Sequence, residues 1–221
     1  MNKISDRLKY IFSQIPPCEY FADIGCDHGY ISLLMLQSKK CQKLVYSDIS
    51  APSLKKAETL LKDYTNAKSV CCEGLQKIDT DISCALIAGM GGENIISILQ
   101  NGFLPPTLVL QPMKNADKLR VFLNTKGYFL QKDIIFKAED KFYSLIIAEK
   151  GREQLTGEQI EYGKDNLNNP SGDFLEYLAS QIVSKKKILN GLVGQKRTEY
   201  ALNLQKEISL YERLRVMGDS K

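Results

Sequence analysis

The chain has 221 residues, 43% of them apolar and 25% charged, with a formal net charge of +4. That is enough for one sizeable core plus a small appendage, and the composition is ordinary for a soluble globular protein. No apolar run approaches the ~20 residues of a membrane helix, and the first residues lead into an amphipathic segment rather than a signal-peptide core, so the expected location is the cytoplasm.

Taken in chain order, residues 3–14 read as a helix, with Ile4, Leu8, Ile11 and Ile15 on one stripe and Pro16-Pro17 ending it. A first strand covers 20–24. A turn, Gly25-Cys26-Asp27-His28-Gly29, follows, and then a helix from Tyr30 to about Lys39. Lys43–Asp48 is a second strand. Ser50 caps the next helix, which runs through Leu61 with Pro52 in its first turn. Strands are expected at 68–72, Cys84–Ala88 and Thr107–Leu110, with helices at Glu93–Leu99 and 115–126. Residues 128–136 and 142–149 pair as a hairpin around the charged turn Lys137-Ala138-Glu139-Asp140.

Strands alternating with helices and then ending in a hairpin predict an α/β fold with a doubly wound, Rossmann-like sheet of seven strands in residues 1–150. Residues 151–170 are polar and read as a linker with a short helix. From 171 to 221 the pattern is helical. Leu175, Leu178, Ile182 and Leu189 form one stripe, and Ala201, Leu204, Ile208 and Tyr211 form another at heptad-like spacing. Gly191 and Gly194 separate them, which predicts an antiparallel helical hairpin with coiled-coil character. This segment holds 9 Lys+Arg against 6 Asp+Glu, whereas residues 1–170 hold 21 against 20. The positive excess lies mostly in the hairpin, on Lys185-Lys186-Lys187 and Lys196-Arg197. Such a bias permits an RNA partner without demonstrating one.

The candidate ligand residues fall just past the carboxyl ends of strands, where such sheets bind ligands. Gly25 and Gly29 let the backbone pass close to a ligand. Their spacing departs from the G-x-G-x-x-G of a dinucleotide site, and Asp23 would repel a pyrophosphate. That acid suits an ammonium group instead, as in S-adenosylmethionine; its alternative is a turn or helix-dipole partner. Asp48 lies 23 positions after Gly25, near the ~20-residue offset at which these folds place a carboxylate on a ribose. Its alternative is the N-cap of the Ser50 helix. Ile49 follows it, and Glu73-Gly74 would border the adenine. Gly89-Met90-Gly91-Gly92 suggests backbone pressed close to something, with Met90 against the cofactor. His28, the only histidine, packs on the cofactor or caps the turn. Gln111 before Pro112 is a candidate base contact, although a plain strand-ending proline is the stronger alternative, and Tyr30 and Tyr143 are candidate stacking platforms or else core and rim packing. The chain has six cysteines, none in a C-x-x-C pair. They read as reduced apolar fillers and no metal is expected; Cys26, in the turn, is the one to watch.

Asp23-Ile24-Gly25-Cys26-Asp27-His28-Gly29-Tyr30, Ala88-Gly89-Met90-Gly91-Gly92 and Leu110-Gln111-Pro112 together resemble the bacterial tRNA (adenine-N1)-methyltransferases that act at position 22, the TrmK family. The final helical hairpin is similar to that family's C-terminal coiled coil. The resemblance implies a class I methyltransferase fold, S-adenosylmethionine as methyl donor and tRNA as substrate, in a chain expected to be monomeric. Asp23, Gly25, His28, Gly29, Asp48, Ile49, Glu73, Gly74, Gly89, Met90 and Gly91 would then hold the cofactor. Asp27, Tyr30 and Gln111 would serve the reaction. An rRNA or small-molecule methyltransferase and a non-catalytic RNA-binding module are the alternatives.

Overall fold

The computed structural model describes residues 4–192 and 199–219. Lys196 and Arg197 of the expected basic face, and Gly194 of the expected break, lie outside these residues. The first helix, α1 (Asp6–Gln14), is capped by the Ser5 hydroxyl, which accepts from the Leu8 amide. Then follow β1 (Cys18–Ile24), α2 (Tyr30–Gln37), β2 (Cys41–Asp48), α3 (Ala51–Leu61), β3 (Ala67–Cys71), β4 (Cys84–Met90), α4 (Gly92–Gln100), β5 (Thr107–Pro112), α5 (Ala116–Thr125), β6 (Tyr128–Ala138) and β7 (Lys141–Lys150). The seven strands order as β3-β2-β1-β4-β5-β7-β6. All neighbours run parallel except β7, which is antiparallel to both β5 and β6. This is the Rossmann-like seven-stranded sheet that the strand–helix alternation predicts.

Both faces of the sheet are covered, so the central strands bury nearly every side chain. On β4, Leu86 points into the core beneath α1, α2 and α3, with Ile11, Met35 and Leu54. Its neighbours Ala85 and Ile87 point into the opposite core beneath α4 and α5, with Ile95, Leu99 and Leu119. The strand continues two residues past the expected end at Ala88, with a register shift between Ala88 and Met90. The extra residue, Gly89, at φ +80°, forms the bulge. In the hairpin, Lys137 and Ala138 extend β6, and only Glu139 and Asp140 turn, with φ of +51° and +58°. Two residues in that conformation match the right-handed twist of the flanking strands.

Residues 150–170 carry two short helices rather than one, α6 (Gly157–Tyr162) and α7 (Lys164–Asn168). They dock on β6 through buried polar contacts. Arg120 and Asp133 form a buried pair, with Nε–Oδ2 at 2.8 Å and Nη2–Oδ1 at 3.0 Å, and Arg120 Nη1 donates to the Ile160 carbonyl at 2.9 Å. The amides of Asp133, Ile135 and Lys137 on β6 donate to the side chains of Asp165, Asn166 and Asp173 at 2.8, 2.9 and 2.9 Å.

Two long helices, α8 (Gly172–Gly191) and α9 (Glu199–Asp219), complete the chain. Phe174, Leu178 and Ile182 of α8 meet Ile208, Tyr211 and Leu214 of α9 in a third core that Tyr162 joins. Phe174 takes the buried place expected for Leu175, and the expected stripe on α9 is buried throughout. Two of the expected basic residues are paired within the hairpin: Lys185 with Glu207 and Lys186 with Glu212, each at 2.7 Å.

Candidate active site

Four strand tips, from β1, β2, β3 and β4, meet along one edge of the sheet. At the β1 tip, Asp23 is 4% exposed and accepts from the Ser32 hydroxyl at 2.7 Å. Burial pushes its carboxyl up to about 6, Asp48 adds to the rise, and the Ser32 bonds oppose it. The turn that follows is tied to β2: the amides of Gly25 and Cys26 both donate to the Ser47 carbonyl, at 2.8 and 2.9 Å. Gly25 and Asp27 both have positive φ, +71° and +48°. A Cβ on Gly25 would stand 2.3 Å from Met90 Cε, so the glycine admits the Met90 side chain across the turn. Gly29, at φ +74°, serves packing instead, since a Cβ there would meet Ala57 of α3 at 2.9 Å.

Asp48 organises the turn. Its Oδ2 accepts from the Asp27 amide at 3.0 Å and its Oδ1 from the Ser50 amide at 2.8 Å. The helix cap itself is the Ser50 hydroxyl, which accepts from Ser53. Each Asp48 oxygen therefore keeps a lone pair for a ligand. Asp27 Oδ2 lies 2.7 Å from His28 Nδ1, and the His28 ring stacks on Tyr30 with centroids 5.7 Å apart. Cys26 is buried, and burial together with the Asp23 and Asp48 charges drives its thiol far up.

These residues line two clefts that share Gly25. A cavity of about 450 Å³ brings together Asp48, Ile49, Glu73, Gly74 and Met90. A smaller one of about 110 Å³ brings together Asp23, Asp27, His28 and Tyr30. Gly29, Gly89 and Gly91 line neither. The larger cleft has the composition an adenosine needs: an acid for the ribose hydroxyls and apolar side chains, among them Ile49 at 71% exposed, for a flat ring. The smaller cleft offers a buried carboxylate to an ammonium. The donor set fits S-adenosylmethionine.

Sequence reasoning missed Arg7. It also lines the smaller cleft, donates from Nη1 to the buried Gln111 Oε1 and lies 5.7 Å over the Tyr143 ring. No local pattern marks it, because its partners are more than a hundred positions away. Gln111 has no exposed surface; its Nε2 donates to the Pro112 carbonyl and to Met113 Sδ. Its amide is thus engaged at both ends, and it reaches the cleft through Arg7. Tyr143 packs on Phe136 beneath Arg7, which leaves Tyr30 as the more open of the two expected platforms.

Residues 4–146 match the family described as a methyltransferase domain. A Mycoplasma pneumoniae protein, named as a tRNA methyltransferase, is 34% identical over 175 residues, covering 76% of this chain and 81% of its own. The tRNA (adenine(22)-N(1))-methyltransferase of Bacillus subtilis is 28% identical over 227 residues, covering 99% and 89%. The chain belongs to the TrmK family of methyltransferases. The structure of M. capricolum TrmK in complex with S-adenosyl-homocysteine superimposes with a TM-score of 0.83 at 23% identity, over 95% of this chain and 96% of that one. This TrmK-family chain therefore carries the shared fold from α1 to the C-terminal hairpin. Among its described residues, no helix is long and apolar enough to cross a membrane.

Proposed function

We propose that this chain transfers a methyl group from S-adenosylmethionine to N1 of an adenosine in tRNA, at position 22 in the D arm. The relationship to the named tRNA methyltransferases carries the reading of the substrate. The acidic and apolar strand tips support the reading of the cofactor. When bound, S-adenosylmethionine supplies an electrophilic methyl on a sulfonium.

The residues then divide by chemistry. Asp23 accepts from the ammonium of the methionine moiety, and the Arg7 guanidinium in the same cleft has the charge for its carboxylate. Asp48 takes the ribose hydroxyls side by side. Ile49, Met90 and Gly74 border the adenine, with Glu73 at the edge. Adenine N1 carries an in-plane lone pair and no proton, so the transfer requires no general base. The protein's work is alignment and electrostatics. The product base is cationic, and the Asp27 carboxylate, paired with His28, stabilises that charge. N1 lies on the pairing edge, so the base must leave its helix first. Residues 171–221 hold the tRNA body by phosphate contacts, and the reaction takes place in the cytoplasm with the protein as a monomer.

Incubating the protein with unmodified tRNA transcripts and labelled S-adenosylmethionine, then mapping the modified base, tests the reading. Label at N1 of adenosine 22 is expected; label confined to rRNA or to small molecules would overturn it. Asp27→Ala should lower turnover about tenfold at saturating tRNA and cofactor, and an unchanged turnover would remove Asp27 from the reaction.

A further inference from the structure

A third cavity, of about 470 Å³, shares no lining residue with the two cofactor clefts. It lies between the loop after β5, the start of β7 and helices α6, α8 and α9. Its volume is within the about 300–1,000 Å³ of pockets that take small ligands. Part of its wall is aromatic. Phe142 meets Tyr177 edge-on at 5.6 Å, and Tyr162 meets Tyr211 at 5.7 Å with the rings 89° apart. Phe142 and Tyr177 keep part of their surface open. Its rim carries a cation, Lys114, and an acceptor, Glu161, both exposed. A joint that served only to fix the helices to the sheet would close over this space at the density of a protein interior.

The loop on its near side is fixed to the cofactor clefts. The Met113 amide donates to the Met90 carbonyl and the Gly92 amide to the Lys114 carbonyl, each at 2.8 Å. A Cβ on Gly92 would stand 2.2 Å from the Asn115 oxygen, so this glycine is where the loop is pressed down. Asn115 itself is held at φ +56°, a conformation that persists only where the surroundings impose it. Two of the three glycines in the Gly-Met-Gly-Gly run therefore position this loop: Gly92 beneath Asn115 and Gly91 beneath the Lys114 side chain.

We infer that this cavity is a second nucleobase site, which takes an unpaired nucleotide next to the target adenosine. The inference rests on RNA being the substrate. Tyr177 stacks on Phe174 with centroids 6.3 Å apart, and its half-exposed ring, with that of Phe142, extends the stack to a base; Lys114 meets the adjoining phosphate, and Glu161 accepts from an exocyclic amine. Tyr143 lines this cavity, and Arg7, 5.7 Å over its ring, lines the smaller cleft, so the site adjoins the cofactor clefts without sharing a lining residue and suits a neighbour of the reacting base.

The test uses tRNA transcripts with 2-aminopurine on either side of the target, and the full-length protein. Wild type should quench one of the two probes on binding. Tyr177→Leu, which keeps apolar bulk but removes the stacking face, should abolish that quenching and raise KM for tRNA about tenfold, with KM for S-adenosylmethionine unchanged. Lys114→Gln, at an exposed side chain, keeps the test open should Tyr177→Leu fail to fold, and should raise the tRNA KM several-fold. Quenching that survives Tyr177→Leu, or a tRNA KM within twofold of wild type in every variant that folds, would overturn the inference while leaving the proposed activity standing. A wild-type protein that methylates no tRNA would instead overturn the activity, and this site with it.

Discussion

Replacing Asp23 by Asn separates what the buried carboxylate costs the fold from what it does for the ligand. Its carboxyl is raised from an ordinary value of 3.8 to about 6 by burial. At about 1.4 kcal/mol per pH unit, ionising it inside the ligand-free protein costs about 3 kcal/mol. The sign follows from linkage. A raised folded-state value means that its contribution to stability is present below the unfolded value and is lost as pH rises through about 6. Wild type should therefore lose about 3 kcal/mol from this group between pH 3.5 and pH 7, and Asp23→Asn should not. Urea unfolding of both proteins at intervals across that range measures the difference directly. The amide still reaches Ser32 but offers an ammonium no charge. S-adenosylmethionine should bind about 10- to 150-fold more weakly, as expected for losing a hydrogen bond to a charged group worth about 1.5–3 kcal/mol. A stability difference between the two proteins that stays constant with pH would refute the burial argument. Unchanged cofactor affinity would refute the ligand assignment.

Two further substitutions probe the frame around the site. Gly92→Ala forces a Cβ against the Asn115 carbonyl and should cost about 1–3 kcal/mol. An unchanged melting temperature would show that the loop yields freely. Arg120→Met strands the Asp133 carboxylate, which has no exposed surface, and should cost about 3–5 kcal/mol in urea unfolding. Adding Asp133→Leu should recover at least half of that, and a double variant no better than the single one would contradict the pairing argument.

Much of the fold was legible because its signals are local. Strands buried on both faces read as apolar runs, Ser50 announces its helix, and the acids and glycines at the strand tips follow those runs directly. What escaped depends on distance through space. Arg7 sits beside an apolar stripe and gains its role only when α1 is laid over Gln111. The Gly-Met-Gly-Gly run was legible as a close approach, but not that Gly92 approaches Asn115. Lys185 and Lys186 counted as free charge in the sequence; they are partnered because the register of α8 against α9 sets Glu207 and Glu212 opposite them. Residues 157–168 give a weak signal because Asp165 and Asn166 hold β6 by hydrogen bonds, while their apolar members Tyr162 and Leu167 join the core of the C-terminal helices.

Those contacts have a wider meaning. β6 is the last strand of the sheet, and a bare strand at that position is a template for a neighbouring chain. Here Asp165, Asn166 and Asp173 hold three of its amides, so a row of side-chain oxygens substitutes for an eighth strand. A chain cut before Asp165 would keep the acidic and glycine strand tips yet expose an adhesive border. The helices that follow the sheet thus occupy amides of its last strand that would otherwise be free to pair with another chain.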